Sequence, residues 1–127
     1  MYTNRQIVLA SASPRRKELL KNIFPIFQII PSSKEETTIF HAPEAFVMDL
    51  SHSKAADIIQ QLIRSKTGSA LSDSSVIASS VPPCLVIGAD TIVCFQDQLL
   101  GKPADIDAAR AMLSGLSGHT HQVYTGV

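Results

Sequence analysis

Residues 6–16 read QIVLASASPRR and join a short apolar run to a polar segment that can start a helix. The run at 6–10 predicts a buried β-strand, because its apolar residues are consecutive and few. Ser13 is a favourable N-cap and Pro14 suits the first helical position. The stretch therefore predicts a strand that leads directly into a helix. The residues expected on the apolar face of that helix are Leu19, Leu20 and Ile23.

The rest of the chain alternates strand-like and helix-like patterns around a polar loop at 32–42. Further strands are predicted at 26–31, 84–88, 91–95 and 119–127, with a tight turn at 96–97. Helices are predicted at 43–64 and 105–116. Their expected apolar faces are Val47, Leu50, Ala55, Ile58 and Leu62, and Ala108, Ala109, Met112 and Leu116. This order predicts an α/β or α+β domain with a mixed sheet.

Composition limits the classes of protein that remain. The 127 residues are enough for one domain, 1–127, and 45% of them are hydrophobic. Eleven basic and eleven acidic residues leave no net charge, which argues against nucleic acid or an anionic membrane as the main partner. Two cysteines and no apparent signal peptide favour a reducing, cytoplasmic location. The serine-rich stretch 65–83 is interpreted as a flexible insertion.

The segment after the first strand has the features of an anion site. Free N–H groups at a helix N-terminus attract phosphate. Arg15 and Arg16 fall in the first helical turn, where cations oppose the helix dipole unless an anion is bound. The segment fits a phosphate cradle that includes the Ser11 hydroxyl, but it equally fits a plain Ser-Pro cap with solvated arginines.

Other charged residues stand out by their position. Asp90 follows the apolar run 84–88, at the strand end where α/β proteins place their sites; it could hold a cation, activate water or only cap a turn. Lys54 shares the apolar stripe of its helix, so its ammonium must reach solvent or meet an anion. Lys102 lies in a Gly-Lys-Pro turn, where lysine is usually just exposed.

Several common sites are absent or weakly indicated. No GxxxxGK[ST] run and no GxGxxG run occurs, which argues against a P-loop ATPase and a dinucleotide dehydrogenase. His119 and His121 are two residues apart with no third ligand nearby, so zinc is weakly supported. Glu35 and Glu36 are typical surface charges, although one of them could hold a cation together with Asp90.

Six short stretches stand out together: LASASPRRKELL at 9–20, SKA at 53–55, VIGADTIV at 86–93, GKP at 101–103, LSGLSG at 113–118 and TGV at 125–127. Each is short, but together in this order they form a specific pattern. This pattern resembles the Maf family of nucleoside triphosphate pyrophosphatases. The resemblance implies the mixed-sheet α/β fold shared by Maf and inosine triphosphate pyrophosphatases, and it covers the chain except 65–83.

The resemblance also implies an activity and a set of roles. Family members hydrolyse a nucleoside triphosphate to the monophosphate and pyrophosphate with a divalent cation, Mg²⁺ or Mn²⁺. Asp90 matches the proton acceptor and, with Glu36, the metal-handling positions. The matched phosphate-handling positions are Ser11, Arg15, Arg16, Lys54 and Lys102, and Arg15 and Thr91 match positions tied to base preference. The Arg-Arg form resembles the branch that acts on dTTP and UTP.

Family members continue beyond the position of Val127, so the chain is expected to supply the N-terminal two thirds of a truncated family domain. Three functions stay open. The leading one is a dTTP/UTP pyrophosphatase, with modified nucleotides as further substrates. The second is a non-catalytic regulator of cell division that binds a nucleotide or a partner, and the third is an inactive short form. Because family members often pair, a homodimer is a candidate assembly.

Overall fold

The computed structural model describes residues 5–67 and 83–127. The predicted insertion at 65–83 lies largely outside the described residues. The described residues form six strands and three helices: β1 (Gln6–Leu9), α1 (Pro14–Lys21), β2 (Gln28–Ile29), α2 (Pro43–Thr67), β3 (Cys84–Ile87), β4 (Asp90–Phe95), β5 (Gln98–Leu100), α3 (Ile106–Leu116) and β6 (Gln122–Gly126). The chain is thus α/β, as the sequence predicts.

The strands form two three-stranded sheets of different type. In the first sheet β1 lies between β2 and β3 and is parallel to both. In the second sheet β4 lies between β5 and β6 and is antiparallel to both. The parallel and antiparallel strands predicted for one mixed sheet are therefore divided between two sheets, and only Gly88 and Ala89 separate β3 from β4.

The core forms where α2 covers the parallel sheet. The central strand β1 is buried on both faces, as is typical of parallel strands, with Val8 fully buried. Val8, Ala10 and Ile58 form the buried cluster, and Ile30, Leu62 and Val86 pack against it. Because α2 also contacts β4 and β6, one helix supports both sheets.

Most of the predicted elements are confirmed, with several differences, and β2 covers only Gln28–Ile29 of the strand predicted at 26–31. The short strand β5 was not predicted; it pairs with β4 across a turn whose two residues, Gln96 and Asp97, have positive φ. Helix α2 continues to Thr67, three residues beyond the predicted end. The predicted apolar face of α1 is wrong, because Leu19 and Ile23 are 61% and 70% exposed. The helix ends at Lys21, so Ile23 lies beyond it, and Leu20 alone of the helix residues is buried.

The other predicted features follow the expected chemistry. Ser13 caps α1 by accepting a hydrogen bond from the Arg16 backbone N–H, and Asp105 caps α3 in the same way. The predicted inward face of α3 is half-buried throughout. No helix in residues 5–67 and 83–127 combines the length and apolarity needed to cross a membrane.

Two glycines let strand ends pass close to the backbone of α2. A Cβ atom added at Gly88 would lie 2.9 Å from the Ala55 backbone nitrogen and in contact with the Ser51 carbonyl oxygen. One added at Gly126 would lie 2.9 Å from the Met48 backbone nitrogen. Real Cβ atoms do not approach backbone this closely, so both positions require glycine.

The substitution Gly88→Ala tests this packing. Because the added methyl group meets helix backbone, which cannot rotate away, we expect the free energy of unfolding to fall by about 1–3 kcal/mol. Urea unfolding measures the change. The matched control is Gly115→Ala in α3, where nothing lies within 4 Å of the added Cβ; it should hold or raise stability. Equal midpoints for Gly88→Ala and the unmutated chain would contradict the close approach.

Candidate functional site

The segment between β1 and α1 is folded around the Ser11 hydroxyl. Ser11 is buried, and its Oγ accepts hydrogen bonds from the Ser13 backbone N–H at 3.2 Å and from Arg16 Nη1 at 3.2 Å. Ser13 then caps the helix that carries Arg16. The local sequence therefore fixes the position at which the Arg16 guanidinium leaves α1.

Arg16 joins this segment to the junction of the two sheets. Its Nη1 also donates to the carbonyl oxygen of Ala89 at 2.8 Å, and its Nη2 donates to Thr91 Oγ1 at 3.1 Å. Thr91 Oγ1 in turn lies 3.0 Å from Thr125 Oγ1 on β6. Three of the five guanidinium N–H groups are engaged in this way, so Arg16 is held in one orientation by Ser11 before α1, by Ala89 between β3 and β4, and by Thr91 on β4.

Lys54 joins two carboxylates from distant parts of the chain. Its Nζ lies 2.6 Å from Asp90 Oδ1, at the start of β4, and 2.9 Å from Glu36 Oε1, in the loop before α2. The side chains of Lys54 and Asp90 are only 14% and 9% exposed, whereas that of Glu36 is 47% exposed. The sequence left open whether the Lys54 ammonium reaches solvent or an anion. In the structure it meets two anions.

The charges of this group alter its proton affinities. Hydrogen bonding to Lys54 lowers the pKa of Glu36 despite partial burial, and the positive charges of Lys102 and Arg16 lower it further. Burial alone would lower the pKa of Lys54, but the hydrogen bonds to Asp90 and Glu36 outweigh burial and raise it. Lys54 is thus a cation throughout the neutral range.

These side chains line a cavity of about 900 Å³. Its charged lining residues are Arg16, Glu36, Lys54, Asp90 and Lys102. Three cations against two carboxylates give this lining a net positive charge, and Arg16 and Lys102 form no ion pair among the described residues, so both can meet an anion. Phe46, Ile92 and Leu100 supply apolar wall, so the cavity offers both a charged region and an apolar region, as ligand sites commonly do.

The structure brings together all but one of the residues predicted for the site. Ser11, Arg16, Glu36, Lys54, Asp90, Thr91 and Lys102 line the cavity. Arg15 does not line it and is exposed. Successive residues of a helix point about 100° apart, so the turn that directs Arg16 inward directs Arg15 elsewhere. Of the adjacent acids at 35 and 36, Glu36 is the one that contacts Lys54.

The donor set fits a hard divalent cation. Glu36 and Asp90 present carboxylate oxygens around the same Lys54 nitrogen, and Mg²⁺ commonly binds through one or two carboxylates together with substrate phosphates. Within residues 5–67 and 83–127 no group of three or more His, Cys, Asp and Glu side chains could hold a metal ion. Glu36 and Asp90 are the candidate ligands, and phosphate oxygens of a substrate would have to supply others.

Sequence reasoning missed three residues of the site. Phe46 and Ser32 line the cavity, and Thr125 contacts Thr91 across the β4–β6 pair. Thr125 could be found if the register of β4 and β6 were known, because these strands pair it directly with Thr91. Ser32 and Phe46 carry none, because a loop serine and an aromatic residue of an amphipathic helix have no distinctive spacing.

Comparison with known proteins gives one consistent result. Residues 6–127 match the family described as Maf-like protein. A dTTP/UTP pyrophosphatase of Agathobacter rectalis is 48% identical over 124 residues, which is 96% of this chain and 57% of that protein. Proteins of the same name from Lachnoclostridium phytofermentans and Bacillus cereus are 45% and 42% identical, and the matches cover 53% and 55% of their lengths. The chain thus spans about half the length of these relatives.

Glu36→Gln tests the ion pair through the pH dependence of stability. Because the folded protein lowers the Glu36 pKa below its ordinary value of 4.5, the pair contributes fully above pH 4.5 and is lost as the pH falls through the lowered pKa. We expect the variant to be less stable by about 0.5 kcal/mol at pH 7 and equal to the unmutated chain in acid. Urea unfolding from about pH 2.5 to about pH 7, on either side of the ordinary carboxyl pKa, measures the stability difference in acid and at neutral pH.

The matched control is Glu35→Gln, which removes a carboxyl group from the same loop. It should leave the pH dependence unchanged, since no ion pair of Glu35 occurs among the described residues. Identical pH profiles for Glu36→Gln and Glu35→Gln would contradict the pairing with Lys54.

Proposed function

Since the chain belongs to the Maf family, we propose that it carries the phosphate-handling part of a nucleoside triphosphate pyrophosphatase that acts on dTTP or UTP. The observation that supports this most directly is the grouping of Lys54, Asp90 and Glu36 beside Arg16 and Lys102 in one cavity. The names of the relatives supply the nucleotides. The reaction releases the nucleoside monophosphate and pyrophosphate.

Cationic side chains would bind the triphosphate. A triphosphate carries several negative charges, and Arg16 and Lys102 line the cavity without an ion pair among the described residues, so both can meet those charges. Arg16 keeps two N–H groups without a partner among the described residues, so it can donate to phosphate oxygens without giving up its bonds to Ser11, Ala89 and Thr91. Such preorganisation lowers the cost of stabilising the transition state.

Asp90 would act as the proton acceptor for the attacking water. Its Oδ1 bonds to Lys54, while Oδ2 has no hydrogen bond among the described residues and can accept from water. The water oxygen attacks the α-phosphorus, its proton passes to Asp90, and the bond between the α-phosphorus and the bridging oxygen breaks as pyrophosphate leaves. Lys54 fixes the orientation of the carboxylate and lies where it can meet the phosphate charge.

A divalent cation such as Mg²⁺ or Mn²⁺, held by Glu36 and Asp90, would supply charge neutralisation at the phosphoryl oxygens. Thr91, at the cavity and bonded to Arg16, is a candidate for base preference. Arg15, which lies outside the cavity lining, is assigned to base preference on the family resemblance alone. We also propose a cytoplasmic location, where nucleotides are abundant and the free thiols of Cys84 and Cys94 stay reduced.

The substitution Asp90→Asn tests the proposal. Losing the proton acceptor should lower metal-dependent pyrophosphate release from dTTP and UTP by at least about 10²-fold, as measured in a coupled pyrophosphate assay. Asp97→Asn is the matched control: Asp97 is exposed in the β4–β5 turn at φ 60°, a conformation that asparagine also tolerates. The control should keep full activity. Release of no pyrophosphate from any nucleotide by folded, metal-supplied protein would refute the proposed activity.

A further inference from the structure

A second polar contact joins the Glu36 loop to α2, beside the one that Glu36 makes. Ser32 Oγ donates a hydrogen bond of 2.6 Å to Asp57 Oδ2, and Gln61 Nε2 donates to the same oxygen at 3.1 Å. Ser32 also lines the cavity. Asp57 does not line it, and none of the sequence patterns pointed to it. The contact therefore connects a residue outside the site to the segment that carries one of the site's carboxylates.

The two contacts hold the loop at two points along one helix face. Lys54 and Asp57 are three residues apart on α2, so they lie on the same face. Their partners, Glu36 and Ser32, are four residues apart in the loop. Lys54 holds the later residue and Asp57 the earlier one. The Ser32–Asp57 bond thus sets where the loop lies when Glu36 reaches towards Lys54.

The remaining hydrogen bonds found within residues 32–41 are local. The Lys34 N–H donates to Ser32 Oγ, the Thr37 N–H to the Glu35 carbonyl oxygen and the Phe40 N–H to Thr38 Oγ1. Such bonds shape short turns, but they do not attach the loop to the body of the protein. Attachment by hydrogen bond or ion pair, in the described residues, comes from Ser32 and Glu36.

The Ser32–Asp57 bond is short and has a charged acceptor. The Ser32 hydroxyl lowers the pKa of the Asp57 carboxyl, and Gln61 and the positive charges of Lys34 and Arg64 lower it further. The acceptor is therefore a carboxylate at neutral pH, and bonds to charged acceptors are shorter and stronger than neutral ones. Without it, the half-exposed Glu36 side chain would have to order the whole loop through one ion pair.

We propose that Asp57 is a positioning residue that acts through Ser32: it holds the loop at 32–41 so that Glu36 stays beside Lys54 and Asp90. The inference rests on the proposed function for its consequence in catalysis, because Glu36 is there a ligand of the divalent cation. Its structural content, the placement of the loop, does not depend on any activity.

Asp57→Ala tests the role by two measurements on the full chain. Heteronuclear ¹H–¹⁵N NOE values report the order of the backbone amides of residues 33–36 in metal-free protein; we expect them to fall in the variant while those of α2 stay unchanged. In the pyrophosphate assay with dTTP, the Mg²⁺ concentration at half-maximal rate should rise about tenfold, the loss expected for one hydrogen bond to a charged group. The KM for dTTP at saturating Mg²⁺ should change less than twofold, a small effect beside that tenfold loss.

Three further variants separate positioning from general damage. Asp57→Asn keeps an oxygen that can accept from Ser32 but loses the charge, so both readouts should lie between those of Asp57→Ala and the unmutated chain. Ser32→Ala removes the same bond without changing the helix and should reproduce the effect of Asp57→Ala. If Asp57→Ala does not fold, Ser32→Ala serves as the test instead. Asp49→Ala removes another carboxylate from α2, outside the cavity lining, and should change neither readout.

The two proposals fail in different ways. If the unmutated chain releases no pyrophosphate, the proposed function fails, and the NOE values alone decide whether Asp57 places the loop. Unchanged NOE values in folded Asp57→Ala and Ser32→Ala would overturn the positioning role. So would a loosened loop that leaves the Mg²⁺ requirement of an active chain unchanged.

Discussion

The site depends on the ion pairs that the ammonium group of Lys54 forms with two carboxylates. This group joins a helix, the first residue of β4 and the loop before α2 through Asp90 and Glu36. Taking a cation and a carboxylate out of water is costly unless each meets a partner, and here burial of Lys54 is offset by two carboxylates. The same arrangement leaves Arg16 and Lys102 as the cations that can meet a polyphosphate.

The position of this contact follows from how α2 lies against two sheets of different type. The parallel sheet ends and the antiparallel sheet begins within the two residues Gly88 and Ala89. Gly88 lets that junction approach the helix backbone, which brings Asp90 to Lys54. Arg16 then bonds to Ala89 and Thr91 on either side of Asp90. The position of the Asp90 carboxylate is thus set by the packing of Gly88 against α2 and by the hydrogen bonds of Arg16 to the two residues that flank Asp90.

The loop at 32–41 is the least supported part of the site. Lys54 and Asp90 are mostly buried on regular elements, whereas Glu36 is half-exposed on a segment without regular structure. The bond from Ser32 to Asp57 and the ion pair from Glu36 to Lys54 are the polar contacts between this loop and α2 among the described residues.

The local structure and the charged residues of the site could be predicted from the sequence. Capping by Ser13 and Asp105, the buried strands at β1 and β4 and the order of the elements depend on neighbours in the chain, and the run around Arg15 and Arg16 with the Asp90 segment indicated the family. Tertiary structure alone decided that Arg16 and not Arg15 lines the cavity, that Lys54 meets Asp90 and Glu36, and that the strands divide between two sheets. The contacts of the site join residues that are 18–75 positions apart in the chain. Sequence spacing predicts contacts between near neighbours, but not contacts over such separations.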